Sequence, residues 1–154
     1  MIQSLVAFLG RALLSIIFIS AAIHKFADWQ GTMQYFSQGL IDYLALSVGN
    51  NFVQGVLEWA IANASMLLMA GVIFELVGGL LVFFGLWPRL GALLLILFMV
   101  PATLLFHHFW LLQDPDRQMQ MVNFMKNVSI TGGLLLVLAV GKGGRPPKVH
   151  EKID

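Results

Sequence analysis

The chain has 154 residues, of which 58% are hydrophobic and 11% charged, and nine basic against eight acidic side chains leave a formal net charge of +1. An ordinary soluble domain is about a quarter charged, so this composition excludes a soluble enzyme, a nucleic-acid-binding protein and a disordered chain. The absence of cysteine further removes dithiol redox chemistry, thiolate metal sites, disulfides and cysteine lipidation, which leaves a small integral membrane protein.

A hydrocarbon core of roughly 30 Å requires about 20 mostly apolar residues at 1.5 Å rise. Four stretches meet this: residues 5–26, 63–86, 90–111 and 119–140. The tryptophans, Trp29, Trp59, Trp87 and Trp110, all fall at or just beyond the ends of these spans, where amphipathic rings prefer to lie. A signal peptide cut after Ser20-Ala21-Ala22 is disfavoured, because no basic segment precedes the apolar run and Arg11 interrupts it.

The first span carries Arg11, Ser15, Phe18, Ala22 and Lys25 on one stripe, with His24 beside Lys25 near the outer end. Arg11 is expected to reach the headgroups, and Lys25 to turn either to water or inward. Between residues 27 and 62 the sequence stays apolar, with Met33, Tyr35, Phe36, Leu40, Tyr43, Phe52 and Trp59. An unstructured loop of that length is uncommon, so one or two short interfacial helices are predicted as a cap over the outer end of the bundle.

The second span holds Glu75, eleven residues before Leu86 and therefore near mid-bilayer. A charge there costs about 2.5–3.5 kcal/mol on insertion scales, so Glu75 needs a partner or a cavity. Gly71, Gly78, Gly79 and Gly85 share its face, and small residues let helices approach closely, so this face is expected to pack into the bundle. The alternatives for Glu75 are a hydrogen-bonded core residue that fixes helix register and a functional site.

The third span is predicted to kink at Pro101, with Thr103 satisfying freed backbone groups, and to end on His107 and His108. Adjacent residues on a helix point about 100° apart, so the two histidines are a poor joint chelator and no metal site is predicted. His24 with His107 or His108 meets the depth requirement for a haem clamp, while interfacial histidines bonded to water or carbonyls are commoner. The fourth span carries Lys126 and Asn127, with Asn123, Ser129 and Thr131 nearby. These are expected to face the bundle and border an outward-open polar pocket, where Lys25, Lys126 and Glu75 are placed to form a buried pair or triad. After Val140, the basic, glycine- and proline-rich residues 141–154 read as a flexible cytoplasmic tail.

With four spans both termini lie on one side, together with the Leu86–Arg89 turn. That side carries Arg11, Arg89, Lys142, Arg145, Lys148 and Lys152, against Lys25, Arg117 and Lys126 on the other. The positive-inside rule makes it cytoplasmic. The predicted fold is therefore all-α: a single membrane domain, a four-helix bundle with an interfacial helical cap between the first and second spans.

Gly10-Arg11-Ala12-Leu13-Leu14 leading to His24-Lys25-Phe26, Glu75-Leu76-Val77-Gly78-Gly79 followed by Gly85-Leu86-Trp87-Pro88-Arg89-Leu90-Gly91-Ala92, and Lys126-Asn127 followed by Gly132-Gly133-Leu134-Leu135 together resemble the DoxX family of small four-helix bacterial membrane proteins. The match covers most of residues 10 to 140 and departs from the family pattern between about residues 42 and 62, where a shorter connection is expected. The resemblance implies a bacterial inner-membrane protein linked to redox or stress systems, either as a non-catalytic accessory or scaffold subunit or as a quinone-binding subunit. On the second reading, His107 or His108 and Lys126 donate hydrogen bonds and Glu75 relays protons. No nucleophile–base–orienter constellation is visible in the chain, which argues against an enzyme. A small-molecule or proton transporter ranks third, since the halves show no convincing repeat. The expected partners are the lipid bilayer and another membrane protein or a second copy; quinone is the favoured cofactor candidate ahead of haem, and neither is required.

Overall fold

The computed structural model describes residues 2–143. Its elements in order are α1 (Ile2–Ala27), α2 (Trp29–Leu46), α3 (Asn51–Ala62), α4 (Ala64–Phe84), α5 (Pro88–Phe106), a 3₁₀ turn (Phe109–Leu111) and α6 (Asp116–Val140). Four segments are long and apolar enough to cross a membrane: α1, α4, α5 with its 3₁₀ extension, and α6. The protein is an all-α membrane protein.

Helix ends follow local chemistry. The Asp28 carboxylate accepts from the Gly31 amide at 3.0 Å and the Asn50 side chain from the Val53 amide at 3.1 Å, so α2 and α3 each start on an N-cap. Gly85 ends α4 in the left-handed region at φ 65°, a conformation that favours glycine, and Pro88 opens α5 where its missing N–H costs nothing. The third span extends from Pro88 to Leu111, with Phe109–Leu111 forming the 3₁₀ turn, but its α-helix, α5, stops at Phe106. There the His107 amide caps the Thr103 carbonyl, and His108 Nδ1 lies 2.9 Å from the Leu105 carbonyl, taking a terminal acceptor of the helix. Upstream, α5 runs helically through Pro101, and Thr103 Oγ1 donates to the Met99 carbonyl at 2.7 Å.

The main interfaces are α4 with α5, α1 with α4, and α5 with α6. Lipid tails are as apolar as leucine, so these contacts depend on close packing and polar links rather than on removal from water. Accordingly the buried face of α4 is Leu68, Val72, Glu75, Gly78, Gly79 and Val82, a helical stripe that combines small residues with one carboxylate. Facing it from α1 are Ser15, Phe18 and Ala22, and from α5 Gly91, Ala92, Leu95 and Met99. The predicted cap is present as the α2–α3 hairpin, in which buried Leu40, Leu57 and Ala60 pack with Phe36, Tyr43, Leu67 and Leu105.

At the opposite, basic end of the bundle lies Arg11. Its guanidinium lies against Gly85 and Nη1 donates to the Lys142 carbonyl, while Arg89 Nη2 donates to the Ala139 carbonyl at 3.2 Å. Both cations thus sit at the C-terminal end of α6, where carbonyls lack helical partners and the helix dipole favours positive charge. The remainder of the predicted tail, from Gly144 onward, lies outside the described residues.

Candidate functional site

Lys25 ends α1 two turns beyond Phe18, and Glu75 stands midway along α4, so the α1–α4 contact brings the two together. Lys25 Nζ donates to Glu75 Oε2 at 2.5 Å. Glu75 is 3% exposed and Lys25 27%, and the ammonium also lies 5.0 Å from the centre of the Phe98 ring of α5, within cation–π range. It is the only ion pair among the described residues. The choice left open for Lys25 resolves inward, toward the Glu75 carboxylate.

On its other side Lys25 opens onto a cavity of about 330 Å³. Gly71, Ala70 and Phe74 of α4 form one wall and Leu97, Phe98 and Ala102 of α5 the other, while Thr32, Tyr35 and Phe36 of α2 roof it. Phe106 also lines it, stacked on Tyr35 with centroids 6.0 Å apart. The cavity is apolar along most of its lining, and Lys25 alone of the ion pair borders it. Pro101 of α5 also lines it.

The remaining predicted residues do not gather here. Lys126 is exposed on the outer face of α6, beside shallow grooves lined by Met121, Val122, Met125 and Ser129, and forms no part of a triad with Lys25 and Glu75. Its neighbour Asn127, about 100° around the helix, does face the bundle, and its Nδ2 donates to Thr103 Oγ1 of α5 at 3.1 Å. His107 Nδ1 lies 2.7 Å from Gln120 Oε1 of α6. His108 is nearly buried and stacks on Tyr43 of α2 with centroids 4.2 Å apart. His24 is exposed on α1. His107 and His108 therefore tie α5 to α6 and to the cap, and neither the three histidines nor Lys126 line the cavity. The sequence reading did not identify Thr32, Tyr35, Phe98 or Ala102 as site residues; Tyr35 and Phe36 carried a signal only as part of an apolar cap.

The glycine stripe divides among several contacts. Gly78 meets the backbone of Gly91, Gly79 meets Ile19 and Phe18, Gly71 faces Phe98, and Gly85 seats Arg11. Gly91 completes the closest helix approach and is the packing residue that the stripe on α4 alone did not reveal.

The Asn127–Thr103 link yields a measurable expectation. Hydrogen bonds between membrane helices contribute about 0.6 kcal/mol on average and up to about 1.7. Thr103→Val, which preserves shape, is expected to lower unfolding free energy in mixed micelles by about that amount. In a double-mutant cycle with Asn127→Ala, zero coupling would show that the two side chains do not act together.

A family model described as DoxX matches residues 6–108. The chain is similar to the inner membrane protein YphA of Escherichia coli K12, 28% identical over 138 residues that cover 88% of this chain and 82% of that protein. It is also similar to the inner membrane protein YqjF of the same organism, 28% identical over 134 residues, with coverage of 87% and 82%. No solved structure matches the chain.

Proposed function

The chain belongs to the DoxX family, and from that premise we propose that it is a bacterial inner-membrane protein, with both termini cytoplasmic, that serves as a non-catalytic accessory holding a neutral lipophilic molecule in the cavity beneath its cap. The observation that carries this reading is the apolar cavity of about 330 Å³ ending on Lys25. Its volume is in the range of small-molecule sites, which combine an apolar lining with a few polar groups that fix orientation.

The ion pair narrows the occupant. Lys25 is already neutralised by Glu75 at 2.5 Å, so a carboxylate or phosphate headgroup entering the cavity would meet a pair of zero net charge and lose its own hydration. A hydroxyl or carbonyl loses far less and can still accept a hydrogen bond from Lys25 Nζ. Long-chain alcohols and isoprenoid carbonyl compounds fit this description, and a quinone is the redox-active member of the class.

The test uses two diazirine probes of similar length, a farnesol derivative and a palmitate derivative, with the full-length protein in nanodiscs. The farnesol probe is expected to label peptides of α4 and α5 several-fold more than palmitate, and Ala102→Phe, which places a ring in the cavity, should suppress that labelling. Equal labelling by both probes, or labelling unchanged by Ala102→Phe, would exclude the cavity as the site.

A specific observation also supports docking of another membrane protein. Lys126 is exposed on α6, the least buried of the spanning helices, where a partner helix bearing a polar side chain would satisfy it.

A further inference from the structure

The six acidic side chains among the described residues are Asp28, Asp42, Glu58, Glu75, Asp114 and Asp116. Five follow the cap and the α5–α6 connection, and the sixth is paired with Lys25. None lies at the opposite end, where the start of α1, the α4–α5 turn and the end of α6 converge. That end carries Arg11, Arg89 and Lys142, so its described residues present three cations with no carboxylate to neutralise them.

Two of these cations border an open cleft of about 420 Å³ between the α4–α5 turn and the end of α6. Its lining is of two kinds. Arg89 and Lys142 supply charge, and both are exposed. Leu86, Trp87, Leu90 and Val140 supply apolar surface and are 63%, 69%, 46% and 62% exposed. Arg89 is steadied by its bond from Nη2 to the Ala139 carbonyl at 3.2 Å, which leaves most of its five N–H donors free. Arg11 stands behind the cleft, joined to the Lys142 carbonyl, and adds to the positive potential.

We infer that this cleft is a headgroup site for an anionic glycerophospholipid of the leaflet that the basic end faces. A phosphate between Arg89 and Lys142 would meet donors of the geometry that binds phosphate well, while the acyl chains would run along Leu90 and Val140 toward the bilayer core. Trp87 lies in the α4–α5 turn at the ends of two spans, the place where an amphipathic ring meets headgroups. A soluble phosphate would use the two cations but leave the apolar wall uncovered. The wall therefore points to a lipid, and the cations, with no carboxylate beside them among the described residues, point to an anionic one.

The test is native mass spectrometry of the full-length protein in detergent, supplied with equal phosphatidylglycerol and phosphatidylcholine of matched chains, at fixed ionic strength. Phosphatidylglycerol should be retained preferentially, by about fivefold for each contributing cation, the factor that one Lys or Arg near an anionic surface provides. Lys142→Glu should abolish the preference. That side chain is exposed and only its backbone carbonyl holds Arg11, so folding is expected to survive, as monitored by circular dichroism. Lys126→Gln, at the far end of the bundle, should leave the preference intact. Equal retention of the two lipids, or a preference unmoved by Lys142→Glu, overturns the assignment. Loss of bound phosphatidylglycerol on addition of millimolar inorganic phosphate would also overturn it, by showing a free-anion site.

Discussion

Lys25→Met is expected to destabilise the protein by about 3–5 kcal/mol, the range for removing one partner of a buried ion pair. The remaining Glu75 would be 3% exposed in a span, with no second cation placed to replace the lysine, since Lys126 faces away on α6. The loss arises mainly from the stranded carboxylate rather than from the strength of the pair, and the variants can separate these contributions. Glu75→Gln should cost less than Lys25→Met, because the lysine left behind is 27% exposed and its long stem can carry the ammonium toward the surface. The double variant Lys25→Met, Glu75→Leu should lie close to wild type or above it, as replacing a buried pair with apolar groups is often neutral or stabilising. Unfolding in mixed micelles with increasing dodecyl sulfate gives the free energies. A double variant as unstable as Lys25→Met alone would show that the pair does more than neutralise itself.

The second large effect is expected where α4 and α5 cross. A Cβ on Gly91 would stand 2.7 Å from the Gly78 carbonyl oxygen and 2.8 Å from Leu81 Cβ. A Cβ on Gly78 would stand 2.9 Å from both the Gly91 carbonyl oxygen and Leu95 Cγ. Two of these obstacles are backbone atoms, which cannot rotate aside, so the helices themselves must separate along the largest interface of the bundle. Overpacking costs about 1–3 kcal/mol, which outweighs the roughly 0.5–1 kcal/mol that alanine gains over glycine in a helix. Gly91→Ala should therefore be destabilising and Gly91→Val more so, with Gly78 behaving alike. Gly132 and Gly71 provide the contrast. A Cβ at Gly132 meets nothing within 4 Å, and at Gly71 the nearest atom is Phe98 Cδ2 at 3.4 Å, so alanine at either position should be neutral or raise stability by about the propensity term. Melting temperatures of the four alanine variants in one detergent would test this order. A uniform response across them would refute the close-approach account.

The candidate site was legible in proportion to how strongly each residue's helix declares a face. On α1, Ser15, Phe18 and Ala22 form one stripe in sequence and are all buried. On α4 the glycines beside Glu75 marked its face, and it is buried there. The fourth span is different: its hydropathy is 1.4 against 2.2–2.4 for the others, and polar residues occur around its circumference. Lys126 and Asn127 were accordingly predicted to share a destination, whereas only Asn127 reaches the bundle.

The sequence alone determined that the chain crosses a membrane with four helices, that the long connection after the first is a helical cap, and that Glu75 points inward. Each of these follows from properties local to a segment: apolar length, turn chemistry, and the spacing of small residues around one carboxylate. The tertiary structure decided what no segment contains. It selected Lys25 rather than Lys126 as the partner of Glu75, because α1 packs on α4 while α6 is carried on α5. It paired Gly91 with Gly78 through the register of two helices. It placed the α2 aromatics over the gap between α4 and α5, and so created a cavity whose walls come from four separate elements. Helical period fixes which face a residue occupies, but the partner of that face depends on the order and register in which the helices meet.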